Sequence, residues 1–101
     1  MPDASEANHL VLVARIVALS AMRYTPAGLP ALDVELEHES QQTEADTPRT
    51  VRLHIKAVAF GELARRLLAI DTRQPVRFNG FLVSPRFGKS VTFHVQDFKT
   101  L

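Results

Sequence analysis

A chain of 101 residues, 46% hydrophobic and 23% charged, has the length of one domain with a modest core and is too short for a catalytic cleft between two lobes. The absence of cysteine excludes disulfides and thiolate metal sites, and no apolar run approaches the ~20 residues that cross a bilayer. A net charge of +1 conceals a polarity along the chain: residues 1–48 carry two arginines against eight acids, a net of −6, and residues 49–101 carry ten basic residues against three acids, a net of +7. Charge divided in this way offers a basic surface to a polyanion. Alternatively, the two halves cancel across paired strands.

Residues 1–9 are polar and acidic, unlike the basic-then-apolar pattern of a secretory signal. A disordered tail is expected there, followed by a single domain over 10–101, with a cytoplasmic location. Leu10 to Leu19 reads as a first strand, apolar on both faces except at Arg15. Such a strand is buried on two sides or against another subunit, and a homodimer is expected. Arg23 to Pro30 then forms a loop with a cation at Arg23, a π-face at Tyr24 and bends stiffened by Pro26 and Pro30. This inventory suits nucleic acid, although a tyrosine can equally cover a barrel end with one wet edge.

Ala31 to His38 alternates, with Leu32, Val34 and Leu36 on one face and Asp33, Glu35 and Glu37 on the other. Gln41 to Pro48 is polar and reads as a flexible hairpin loop. Val51 to Phe60 is the third strand, with Val51, Leu53, Ile55, Ala57 and Ala59 expected in the core and Arg52, His54 and Lys56 outside. From Gly61 to Ile70 the period changes: Leu63, Ala64, Leu67, Leu68 and Ile70 form one face of a short helix, with Arg65 and Arg66 opposite. Gln74 to Val83 and Ser90 to Phe98 are the last two strands, joined by Ser84 to Lys89. Three strands, a helix and two strands predict an all-β fold, the five-stranded OB-fold Greek-key barrel with one short helix between strands 3 and 4. A split two-layer α+β sheet fits the same periodicities.

Two places could carry function. Arg52, His54 and Lys56 repeat at about 7 Å on one face of a strand, a scale that matches phosphates along an extended single strand. The acids of the second strand compete for the same cations. In the loop between strands 4 and 5, Arg86 and Lys89 supply phosphate contacts, Phe87 a stacking surface and Gly88 a turn. Phe93 and Phe78 alternate with core residues, whereas Phe81 and Phe98 fall on the opposite faces of their strands and are expected to be partly exposed or in a subunit contact. Nothing indicates catalysis. His9, His38, His54 and His94 lack metal-ligand spacing and a companion nucleophile, and Gly28, Gly61, Gly80 and Gly88 form no phosphate-cradling loop. No enzyme activity, cofactor, metal or small-molecule substrate is expected.

From Leu10 to Phe98 the chain resembles the primosomal replication protein N family of short bacterial single-strand-binding-like OB-folds. The resemblance lies in Leu10-Val11-Leu12, Pro26-x-Gly28-x-Pro30, Leu36-Glu37-His38-x-Ser40, Glu44-Ala45, Arg49 and Gly80-Phe81. It implies a homodimer without enzymatic activity that binds single-stranded DNA and acts with the PriA helicase and other primosome proteins at stalled forks. The family's DNA contacts carry over to Arg23, Arg52, Arg86 and Lys89. Glu39, Thr47 and Arg52 stand where family members have basic or aromatic residues, which implies weaker stacking near the second loop. Arg23-Tyr24-Thr25 and Phe60-Gly61-Glu62-Leu63-Ala64 lean toward general single-strand-binding protein. That family carries a long acidic-tipped tail, whereas Leu101 follows the last strand, which favours the primosomal resemblance. The alternatives are a tail-less coating protein and an OB-fold protein-interaction module with little DNA affinity.

Overall fold

The computed structural model describes residues 4–101. Its elements are β1 (Leu10–Leu19), β2 (Arg23–Tyr24), β3 (Pro30–Glu44), β4 (Thr47–Phe60), α1 (Glu62–Leu68), β5 (Val76–Val83) and β6 (Thr92–Thr100). Of the tail expected over 1–9, residues 1–3 lie outside the described residues. Ala4–Glu6 makes one 3-10 turn, and the Asn8 side chain donates to the Leu82 carbonyl at 2.8 Å and accepts from its N–H at 2.9 Å. The chain is therefore tied to the barrel before β1 begins.

The sheet closes on itself in the order β1-β5-β6-β4-β3 and back to β1, with β2 a short addition beside β3. Closure depends on β1 changing partners. Leu10 to Ala14 pairs with β5, and Arg15 to Leu19 pairs with β3 across an irregularity between Ile16 and Ala18. Every strand pair is antiparallel except β4 with β6, where Lys56 lies beside Thr92 and Val58 beside His94. This is the expected OB-fold barrel. Leu12, Ala14 and Ile16 of β1, Leu32, Val34 and Leu36 of β3, and Phe78 and Phe93 fill its interior. Both Phe rings are fully buried, each worth about 1.5–3 kcal/mol of transfer free energy.

α1 closes one end. Gly61 precedes it at φ 73°, a left-handed conformation that a residue with a Cβ adopts only under strain. Ala64 and Leu67 enter the core, and Leu63 and Ile70 pack at its edge. Arg65 and Arg66 face outward as expected. Arg65 pairs with Glu62 at 3.3 Å, and Arg66 lies 4.9 Å from the centre of the Phe98 ring.

Three expectations need correction. Gln41 to Pro48 is not a loop: β3 and β4 continue beyond the barrel as a two-stranded ribbon paired through to Glu44 and Thr47. Ala45 and Asp46 turn it with φ of 50° and 62°, the primed geometry whose twist matches a hairpin. Because the barrel has ended, the inward face of the ribbon has little to pack on. Val51 and Ile55 are therefore only half-buried, and Leu53 is 36% exposed. Phe98, expected outside, is 9% exposed and faces Phe78. Gln96 is an extra residue on β6, since Gly80 pairs with Val95 and Asn79 with Asp97. One inserted residue reverses the alternation beyond it.

Candidate nucleic-acid interface

The loop between β5 and β6 presents its cations without local competition. No Asp or Glu occurs from Thr72 to Gln96, and among the described residues neither Arg86 nor Lys89 has an ion-pair partner. Phe87 is 82% exposed. The Arg86 guanidinium carbon lies over the Phe87 ring, 5.6 Å from its centre, so the cation sits on one face of the ring and the opposite face is the one available for stacking. Gly88, at φ 103°, turns the chain back.

The stripe on β4 is in a different state. Arg52 stands opposite Glu39, His54 opposite Glu37 and Lys56 opposite Glu35. The Arg52 guanidinium lies 3.5 Å from the Glu39 carboxylate, and His54 Nε2 lies 3.7 Å from Glu35. The competition expected between the two strands is therefore present at two of three positions. These pairs are exposed and weak, typically about 0–1 kcal/mol, yet each reduces the field that a phosphate would meet. Lys56 has no ion-pair partner among the described residues.

Arg23 is also committed. It donates to both carboxylate oxygens of Asp33, at 2.6 and 3.1 Å, and these bonds raise its pKa above the usual arginine value. Tyr24 is 63% exposed beside it. The turn that carries them is braced by Leu29 N–H donating to Thr25 Oγ1 at 3.1 Å and by Gly28 N–H donating to the Thr25 carbonyl at 2.8 Å. Arg23 lies level with Ala31 and Phe60, so Arg52, eight residues back along β4, is about 27 Å away. The candidate residues do not form one cluster; they lie along an extended path.

A groove of about 540 Å³ joins stripe to loop, lined by Leu53, His54, Ile55, Lys56, Ser90 and Val91. Leu53 and Val91, 36% and 42% exposed, form an apolar floor with Lys56 at its edge, a surface suited to bases with phosphates beside them. Leu53, expected in the core, lies here because alternation does not reveal where a barrel ends. Lys56 also borders a second hollow of about 390 Å³ with Asp33, Glu35, Leu19 and Thr92. No group of three potential metal ligands occurs among the described residues, and no helix of these residues is long and apolar enough to cross a membrane.

Residues 8–97 match the model of a family described as "Another single-strand binding protein family". Replication restart protein PriB of Bordetella pertussis is 45% identical over 91 residues, covering 89% of this chain and 85% of that protein. The Nitrosomonas europaea protein of the same name is 32% identical over 91 residues, covering 89% and 84%. The structure of PriB from Ralstonia solanacearum superposes with a TM-score of 0.84 at 36% identity, covering 93% of this chain and 97% of that one. Single-stranded DNA binding protein from Thermus aquaticus shares the fold, with a TM-score of 0.74 at 23% identity over 94% of this chain and 50% of that one.

Proposed function

Since the chain belongs to the replication restart protein PriB family, within the single-strand binding proteins, we propose that it binds single-stranded DNA in the cytoplasm without catalysing a reaction. On this reading it links that DNA to the PriA helicase and other primosome proteins at stalled forks. One observation carries the DNA-binding part: among the described residues Arg86 and Lys89 have no acidic partner, and they flank an 82% exposed Phe87. Uncompensated cations beside an open ring match the combination of backbone tracking and base stacking by which single strands are held without sequence preference. Titrating fluorescent oligonucleotides at several salt concentrations tests it. Counterion release makes log K fall with log salt by about 0.7 per phosphate contact, and binding too weak to measure, or insensitive to salt, would return the chain to the protein-interaction alternative.

The helicase link is tested separately. Purified protein is expected to bind PriA of its own organism and to alter its unwinding of a forked substrate, with no turnover of its own. DNA binding with neither effect on PriA would favour the coating-protein alternative.

A homodimer is part of the same proposal. From Leu10 to Ala14, β1 is paired on one side by β5 and by no described strand on the other, where β3 begins pairing only at Arg15. The Val13 carbonyl on that open side accepts a hydrogen bond from His38 Nδ1, while His38 Nε2 accepts one from the Ser40 hydroxyl at 2.7 Å. Val11 and Val13 are 53% and 39% exposed. An open apolar edge favours two-fold association. Sedimentation equilibrium at micromolar concentration is expected to give twice the chain mass of 11.3 kDa; a monomer alone would reject the dimer.

A further inference from the structure

The outer face of the β5–β6 hairpin holds a second set of groups that the loop does not use. Its rows, from the loop downward, are Val83 with Thr92, Phe81 with His94, Asn79 with Asp97, and Arg77 with Lys99. Phe81 and His94 are stacked, with ring centres 5.2 Å apart and planes at 23°. Phe60 of β4 extends this pair, its ring centre 5.8 Å from that of His94. At the foot, Arg77 and Lys99 are both exposed and lie directly opposite one another. Like charges facing each other across two strands are destabilising, and neither residue has an ion-pair partner among the described residues. The carboxylate on this face, Asp97, is 4.0 Å from Arg66.

We propose that this face is a track along which the single strand continues after leaving the loop, with its bases passing the Phe81–His94–Phe60 rings and its phosphates reaching Arg77 and Lys99. Rows two residues apart repeat at about 6.7 Å, and Val83 to Arg77 spans about 20 Å, several nucleotides of an extended strand. The spacing, the aromatic row and the two uncompensated cations all suit one ligand, a flexible polyanion with π-faces. The proposal rests on the reading of the Arg86–Lys89 loop as a DNA surface.

Its test is Arg77→Ala with Lys99→Ala, measured against wild type on oligothymidylates of about 4 and about 16 nucleotides, the ends of the range bound per OB-fold. The short strand, occupying the loop, is expected to bind both proteins equally. The long strand is expected to bind the variant about tenfold more weakly at 0.15 M salt, with a log–log slope shallower by about 1.4 for two lost contacts. Thermal stability should hold or rise slightly, since a like-charge pair is removed. Failure of wild type to bind either strand would refute the DNA reading as a whole. Wild-type binding with no loss in the variant at either length would overturn the track alone. Unchanged DNA binding with weakened binding to PriA would also overturn it and assign the face to a protein partner.

Discussion

Replacing Arg86 and Lys89 together with alanine is expected to weaken single-strand binding more than replacing Arg52 and Lys56 together. The reason is the prior commitment of each cation. The loop pair has no ion-pair partner among the described residues, so both charges are available to phosphate and both counterion-release terms are lost with them. The log–log salt slope should therefore become shallower by about 1.4. In the strand pair Arg52 already lies 3.5 Å from Glu39, and the gain on meeting a phosphate is offset by separating from that acid. Of the two, Lys56 is the one without an ion-pair partner among the described residues, and a slope change nearer 0.7 is expected. Phe87→Ala should add to the loop effect by about 1–3 kcal/mol, the typical worth of one base stacked on an aromatic ring. All of these residues are exposed, on a loop or on the outer face of β4, and stability should change by no more than about 0.5 kcal/mol. Fluorescence titration with thermal melts as control decides the matter. An equal or larger loss from the strand pair, with melting unchanged, would make the ribbon the main DNA surface.

Gly80→Ala is expected to destabilise the barrel more than any exposed substitution considered above. A Cβ at that position would overlap the His94 carbonyl oxygen and stand 2.9 Å from its carbon and 3.0 Å from the Phe93 ring. Two of these atoms are backbone in the neighbouring strand, and the third belongs to a fully buried side chain, so none of them can swing aside. Relief requires β5 and β6 to separate where Gln96 already interrupts their ladder. Overpacking of this kind costs about 3 kcal/mol at the upper end of its usual range, which for a domain of this size lowers Tm by roughly 12–24 °C. A melting temperature within two or three degrees of wild type would mean that the strands are less tightly apposed than this geometry requires. A DNA-binding assay below the melting temperature would separate the stability effect from any effect on the interface.

The order of elements, the position of the helix and most of the core were legible in the residues themselves. Leu32, Val34 and Leu36 alternate with acids because a strand presents successive side chains to opposite faces. The change of period at Gly61 marks the helix because an α-helix repeats every 3.6 residues. The uncompensated loop was equally legible, since a stretch from Thr72 to Gln96 without acids leaves Arg86 and Lys89 no local partner. These properties depend on residues close together in the chain.

The remainder was decided by contacts between distant segments. Phe98 joins the core only because Gln96 is an extra residue against β5, and such an insertion is defined by a partner strand that local periodicity does not contain. Leu53 lies in an open groove because the barrel closes below it, although its alternation matches that of Ala57 and Ala59 inside. Ala45 and Asp46 turn a paired hairpin without the glycine that usually announces one, held at positive φ by the ladder on both sides. The charges divided similarly. The composition showed an acidic half and a basic half, but the β3–β4 register determined that Arg52 and His54 meet carboxylates, and the β5–β6 register determined that Arg77 and Lys99 meet each other. Local backbone geometry sets which residues can share a face. Only closure of the sheet sets which charges and rings become neighbours there.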